Sequence, residues 1–432
     1  MRVKKVLSVI LTTMILLISS AFVGCKEKQT SFNFDEKYFL GMGETLYETR
    51  FSCDRSVNKN FISTMSGAMG AKTQRVWMSC AGMCDRAEDS NEIIFRDDIV
   101  KTYQEYFKLL NDNGVERIIM MSQEYPLPYG TMAKAPFNNR VPHPEKDYEL
   151  YVEWLQIIYD FYYKCAQLFP EVDYFEVGNE WDHLTVFCDL DYNYYDVDYV
   201  GIIAADVMWY VNKAVKSVDE ENTVLFPGPM GGTLSQFQGA RDMTEAVFGA
   251  IESKRCPTGE TFQGEYLYAD TNPENYFQIM TMHPYPYYDP LKGSDMERWE
   301  SLVKEWKQDV LMAYQPLIDH NYPVKVWCTE FGVPNTDGGY WTDEHVKNGL
   351  PLYLDELKNF GFIETVVIFR LCELHVNKWN ERENIMGAFY SPDDTENRAK
   401  PKETALTIYR YVHGKNADVT PLYWYYNQYF QD

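Results

Sequence analysis

Histidine is scarce in this chain, at seven of 432 residues, and neither a Gly-x-Ser-x-Gly elbow nor a glycine-rich phosphate loop is present. The missing elbow argues against a serine esterase. The missing phosphate loop argues against a doubly wound nucleotide-binding sheet. Cys80 and Cys84 are close together, but no second Cys or His pair completes a zinc site. Positive charge is also short: 40 Lys and Arg face 64 Asp and Glu, for a net charge of −24. Such a chain repels nucleic acid and anionic lipid, whereas a neutral partner meets no such barrier. Internal repeats and low-complexity segments are absent. Long apolar runs are limited to one, Val6 to Val23, behind the basic start Arg2, Lys4 and Lys5.

That run ends at Gly24-Cys25. A basic start, an apolar stretch and a small residue at the cut are the parts of an export signal. The ending Ala21-Phe-Val-Gly-Cys25 resembles a bacterial lipobox, which implies a lipid on Cys25, with Phe22 an unusual residue inside it. The alternative is an uncleaved anchor helix; either form places the body outside the cytoplasm, tied to the cell envelope. The expected division is therefore a signal over residues 1–24, a lipidated Cys25 and polar linker over 25–35, and one domain over 36–432. Two acyl chains suffice for stable anchoring, and the membrane is met through them alone. Of the remaining eight cysteines, none falls into a compact disulfide framework. Cys328 and Cys372 lie in apolar, strand-like runs where a buried thiol is the common outcome.

From residue 36 onward, short β-rich runs alternate with longer amphipathic stretches. Strands are expected at Tyr38–Gly43, Lys72–Met78, Glu116–Met121, Asp173–Glu180, Thr223–Phe226, Phe277–Met282, Val324–Thr329 and Thr365–Leu371. Helices are expected from Asp97 to about Gly114 and over Glu145–Leu168, Val200–Val218, Ala240–Ser253, Asp295–His320, His345–Phe360 and Lys402–Val412. Repeated strand–helix units predict a single (β/α)₈ barrel of the α/β class. The tyrosine-rich end, Leu422 to Phe430, is expected to pack on it.

In such a barrel, chemistry sits where strands end and loops begin. Glu180 and Glu330 fall at the expected ends of strands four and seven, both emerging from apolar or aromatic runs. A carboxylate there is costly unless it has a partner or a task. An arginine at the rim is the plain explanation for either residue alone. A pair facing each other is what glycosidic bond cleavage requires: one acid protonates the leaving oxygen, and the other carboxylate attacks carbon or activates water.

The surrounding residues add a family likeness. Phe175-Glu-Val-Gly-Asn-Glu-Trp181 resembles the strand-four signature of clan A glycoside hydrolases, and Val326-Trp-Cys-Thr-Glu-Phe-Gly332 resembles their strand-seven motif. His283-Pro-Tyr285 is similar to their strand-six His-x-Tyr, and Gln74-Arg-Val-Trp77 to the strand-two arginine segment. The run from Gly387-Ala-Phe389 to Lys400-Pro-Lys402 resembles the lead into the last helix. Families 39 and 5 are nearest, with Phe226–Gly232 leaning toward family 39. The resemblance implies a cofactor-free retaining glycosidase with Glu180 as acid/base and Glu330 as nucleophile. Arg75, Asn179, Trp181, His283, Tyr285 and Trp379 would bind substrate or position the pair. A carbohydrate substrate and a monomeric protein go with this reading; a plant cell-wall xylan, glucan or mannan is the substrate suggested by analogy. Two departures stand out: strand eight ends without the clan's tryptophan, and Ser122-Gln123 replaces the usual His or Asn of strand three. The rivals are a non-catalytic glycan-binding lipoprotein and a transglycosylase using the same residues.

Other groups point elsewhere less firmly. Asp189-x-Asp191-x-Asn193, with Asp196 and Asp198, has calcium-loop spacing, but Tyr194 stands at the glycine position and Val200 at the bidentate Glu. Packing of Trp181 on the rim competes with its sugar-contacting role. Glu44 and Glu373 are rim carboxylates expected to hold loops.

Overall fold

In this computed structural model, the residues described are 32–44, 46, 58–78, 80–86, 92–122, 140–183, 188–191, 193–253, 261–262, 265–266, 271–287, 296–335, 341–373 and 385–430. Cys25 and Trp379 lie outside them, as does the whole expected signal. Among the described residues, no helix is long and apolar enough to cross a membrane.

Eight parallel strands form the barrel: β1 (Leu40–Glu44), β2 (Thr73–Trp77), β3 (Arg117–Ser122), β4 (Tyr174–Val177), β5 (Thr223–Leu225), β6 (Met280–Met282), β7 (Val326–Phe331) and β8 (Ile363–Phe369). Each except β5 pairs with its successor, and β8 returns to β1 in the register Leu40–Val366. Between β5 and β6 the ring is completed by parallel bridges at Leu225–Ile279 and Met230–His283. The expected strands are all present, with ends shifted by up to three residues.

Eight helices follow the strands: α1 (Lys59–Met69), α2 (Asp97–Asp112), α3 (Tyr148–Leu168), α4 (Val197–Lys216), α5 (Leu234–Glu252), α6 (Met296–Asp319), α7 (Asp343–Asn359) and α8 (Glu403–His413). Helix α1 is not among the expected helices. Its Phe61, Ile62, Met65 and Met69 are buried at helical spacing, but the opposite face carries a single charge, Lys59, and is otherwise small and polar. Its ends are defined by side chain and backbone. The Asn58 carboxamide oxygen accepts from the N–H groups of Asn60 and Phe61, and Gly70 closes the helix at φ 78°.

The barrel interior below the site is filled by Ile119, Leu225, Ile279, Trp327 and Val367, all at most 1% exposed. These come from different staves of the barrel and form a packed layer rather than a channel. A larger core lies between the strands and the helices. The chain end packs on this shell as expected: Leu422 is fully buried, and the Tyr425 ring meets Phe61 edge-on at 4.8 Å.

Candidate active site

At the C-terminal ends of the strands, one guanidinium organises the site. Arg75, on β2, donates to Glu176 through Nε, to Glu330 through Nη1 at 2.5 Å and to Asn179 through Nη2 at 2.7 Å. Tyr285 donates to the other Glu330 oxygen at 2.6 Å. Burial alone raises the Glu330 carboxyl, but the charges of His283 and Arg75 and the bonds from Tyr285 and Arg75 outweigh it and hold Glu330 below the ordinary glutamate range. Arg75 is likewise buried at the expense of its charge, and the two carboxylates more than restore it.

His283, fully buried at the end of β6, is the second organiser. Its Nδ1 lies 3.1 Å from a Glu180 oxygen, and its Nε2 lies 3.2 Å from the Thr329 hydroxyl. Thr329 spends its single proton on Glu176, at 2.7 Å. Its oxygen can then only accept from the imidazole, so Nε2 carries hydrogen. Burial lowers the His283 value, while the Glu330 charge and the Glu180 hydrogen bond raise it further than burial lowers it.

Two local irregularities let neighbouring residues share the pocket. Alternation along a strand would send Thr329 and Glu330 to opposite faces. The β7–β8 register shifts between Cys328 and Phe331, and both side chains reach the interior. On the other side, strand β4 stops at Val177. Gly178 has φ 82° and Glu180 φ 54°, a left-handed conformation that favours glycine and that Glu180 adopts at a cost. The turn is fastened by the Glu180 N–H, which donates to the Gly228 carbonyl at 2.8 Å. Glu180 keeps 26% of its side chain exposed while Glu330 keeps 7%, so the first opens to the groove and the second lies on its floor.

Oxygens of Glu180 and Glu330 and a nitrogen of His283 lie within 4.8 Å of one another. Among the described residues this is the only convergence of that kind. Both Glu330 oxygens are engaged by Arg75 and Tyr285, and a guanidinium beside them opposes a cation, so the group is better suited to acid–base and nucleophilic work.

Arg75, Asn179, Glu180, His283, Tyr285 and Glu330 thus meet as the sequence suggests. Trp181 is a correction: it is fully buried, with its indole packed so closely beneath Gly178 that an added Cβ would lie 2.1 Å away. The left-handed turn at Glu180 directs it into the barrel wall, and no ring face is left for a sugar. The calcium-like loop is likewise occupied from within. Asp189 accepts from the N–H groups of Asp191 and Asn193 and from the Asn193 side chain. Glu44 pairs with Arg370, and Glu373 with Lys402, so both rim carboxylates hold loops. Arg370 stands one residue beyond β8.

Sequence reasoning overlooked Glu176, Thr329 and Asp182. Glu176 had a readable signal, since it precedes Glu180 by four residues in an alternating run and so shares its inward face. Asp182 had none. Its carboxylate accepts from the Met230 N–H through both oxygens, at 3.0 and 3.1 Å, and burial, aided by the Glu180 charge, pushes it up to about 7 against the pull of that N–H.

No family model matches the chain, and no curated protein matches it in sequence. Solved structures do match in fold, and the fold they share with this chain is a (β/α)₈ barrel. One is a family 39 glycoside hydrolase from the gut symbiont Bacteroides cellulosilyticus WH2, at TM-score 0.51 and 12% identity, over 89% of this chain and 65% of that one. A second is the exo-beta-1,4-mannosidase Op5Man5 from Opitutaceae bacterium strain TAV5, at TM-score 0.54 and 13% identity, over 90% and 61%. A third is a beta-glucosidase from Exiguobacterium marinum, at TM-score 0.53 and 13% identity, over 88% and 99%. The chain spans less than two thirds of the length of the first two.

Proposed function

We propose that this protein is a retaining glycoside hydrolase acting on a neutral oligo- or polysaccharide without a cofactor. The observation that carries the reading is the pair Glu180 and Glu330, with oxygens within 4.8 Å and the deeper carboxylate held ionised by Arg75 and Tyr285. Double displacement goes with closely spaced carboxyl groups, about 5–5.5 Å apart, while inversion needs room for a water between them. Glu330 attacks the anomeric carbon as Glu180 protonates the departing glycosidic oxygen. Glu180 then takes a proton from water, which releases the sugar from Glu330. Asn179, fixed by Arg75, offers its amide N–H groups to a substrate hydroxyl. A net charge of −24 sets no barrier to an uncharged glycan and a considerable one to polyanions.

Placement at the cell envelope through a lipid on Cys25 belongs to the same proposal and rests on the Ala21–Cys25 resemblance alone. Cys25→Ser is expected to abolish incorporation of labelled fatty acid; label retained in the variant overturns the anchor.

The activity is tested by incubating the protein with plant and host glycans and following products by chromatography. Proton NMR of the first product, taken before mutarotation, is expected to show the substrate's anomeric configuration. An inverted product overturns the mechanism, binding without cleavage overturns the enzyme, and longer saccharides in place of hydrolysis products point to transglycosylation.

A further inference from the structure

Glu180 sits in a turn that its own residue type disfavours. A non-glycine residue at φ 54° costs on the order of 1–2 kcal/mol and persists only where the surroundings fix it. The β5–α5 loop supplies the fixing at two points, one on each side of Pro229. Before Pro229, the Gly228 carbonyl accepts from the Glu180 N–H at 2.8 Å. After it, the Met230 N–H donates to both oxygens of Asp182, at 3.0 and 3.1 Å. The same Met230 is bridged in parallel fashion to His283, the partner of the Glu180 carboxylate. The turn, the loop and the imidazole therefore form a closed circuit, and Asp182 adds a second tie between the turn and the loop.

Holding one N–H does not require a carboxylate. A neutral acceptor would satisfy Met230 without placing a second charge beside Glu180, and a buried charge is costly. Burial pushes the Asp182 carboxyl up to about 7, and in its ionised form it adds a charge-assisted bond, roughly twice as strong as a neutral one, from Met230 to either oxygen. Helix α5 passes close by with Gly239, where an added Cβ would lie 3.7 Å from Asp182 Oδ2, so the carboxylate is backed by packed structure.

We infer that Asp182 is a positioning residue for acid catalysis: by clamping Met230 it holds the Glu180 turn in the left-handed form that aims the acid at the glycosidic oxygen. This rests on the role of Glu180 proposed above. Asp182 itself need not touch substrate.

The test joins a crystal structure to kinetics on Asp182→Ala and Asp182→Asn. In the alanine variant the Glu180 N–H is expected to leave Gly228 and the carboxylate to leave His283. The kcat/KM on an oligosaccharide with an unactivated leaving group should fall about tenfold or more, the scale on which a general acid contributes. A 2,4-dinitrophenyl glycoside, whose leaving group needs no proton, should keep near-normal kcat/KM, while its kcat and KM fall together because Glu180 also activates the water of the second step. Asparagine retains a neutral acceptor and should restore part of the loss. Asp182→Ser, too short to reach Met230, is read in the same way where the alanine variant does not fold. A Glu180 turn unmoved in the alanine or serine crystal structure overturns the proposal, and so do equal losses on the two substrates. If the native protein cleaves no glycoside, the proposed activity fails while the crystal structures still decide the role of Asp182.

Discussion

Gly228 stands so close to His283 that a Cβ at that position would lie 2.4 Å from Nε2, and 2.9 Å from a Glu176 oxygen. The contact explains why the chain runs Phe226-Pro-Gly-Pro-Met at the end of β5: backbone must pass where no side chain fits. Gly228→Ala is expected to push His283 off Thr329 and Glu180 and to lower kcat at least tenfold. The imidazole protons of His283, followed by NMR, should shift in the same variant. A protein with normal turnover and unshifted imidazole signals would show that the site tolerates the displacement.

Glu330→Ala removes the proposed nucleophile and leaves space facing the anomeric carbon. Turnover should nearly vanish. Added azide should enter that space and yield a glycosyl azide of inverted configuration, identifiable by NMR. Near-normal turnover without azide would remove Glu330 from the nucleophile role.

Glu176 accepts from Arg75 on one oxygen and from Thr329 on the other. In Glu176→Gln the amide nitrogen must face one of these donors and can accept from neither. The cost should be about 1–3 kcal/mol of stability, the usual penalty for a buried polar group left unsatisfied. Activity should fall as well, because either Arg75 or the Thr329 hydroxyl that meets His283 then loses its acceptor. Denaturant unfolding read against kcat separates the two effects. An unchanged unfolding midpoint would mean the barrel interior supplies another acceptor.

His320 ties α5 to α6 away from the site, with Nε2 2.9 Å from Glu245, Nδ1 2.6 Å from Glu252 and its ring stacked on Phe248 at 4.4 Å. Burial lowers the imidazole value, and the two carboxylates raise it above the ordinary one. A group raised in the folded state contributes its full stability below the unfolded value near 6.5 and loses it as pH climbs through the folded value. His320→Gln should therefore lower Tm more at pH 5.5–6 than at pH 9, a comparison of thermal melts that a constant difference across this range would contradict.

Much of the site could be read from the sequence because its chemistry is carried by strand-borne residues. A carboxylate, an arginine or a His-x-Tyr at the end of an apolar run is placed by the barrel itself. What escaped depends on backbone geometry that no spacing encodes. Glu180 lies three residues beyond the last residue of β4, and alternation does not carry through the left-handed Gly178 and Glu180, so neither the burial of Trp181 nor the meeting of Asn179 with Arg75 can be read from spacing. Thr329 and Glu330 face one way only because the register slips between Cys328 and Phe331. Asp182 acquires its partner from a loop nearly fifty residues on, at Met230. Helix α1 escapes for a plainer reason: its apolar stripe of Phe61, Ile62, Met65 and Met69 is short, and the face opposite carries only a single charge to set it off.

The seam between β8 and β1 also governs how the molecule comes into being. It is crossed by Arg370–Glu44 and by the Cys372 N–H to Glu44, pairs some 326 and 328 positions apart in the chain. Contacts of such long sequence separation form late, since a large loop must close before they return any stabilisation. Until the final strand has left the ribosome, β1 presents an unpaired edge, and a barrel lacking one stave exposes backbone groups that invite another chain. A truncation before β8 is thus expected to yield an aggregation-prone species rather than a smaller working protein.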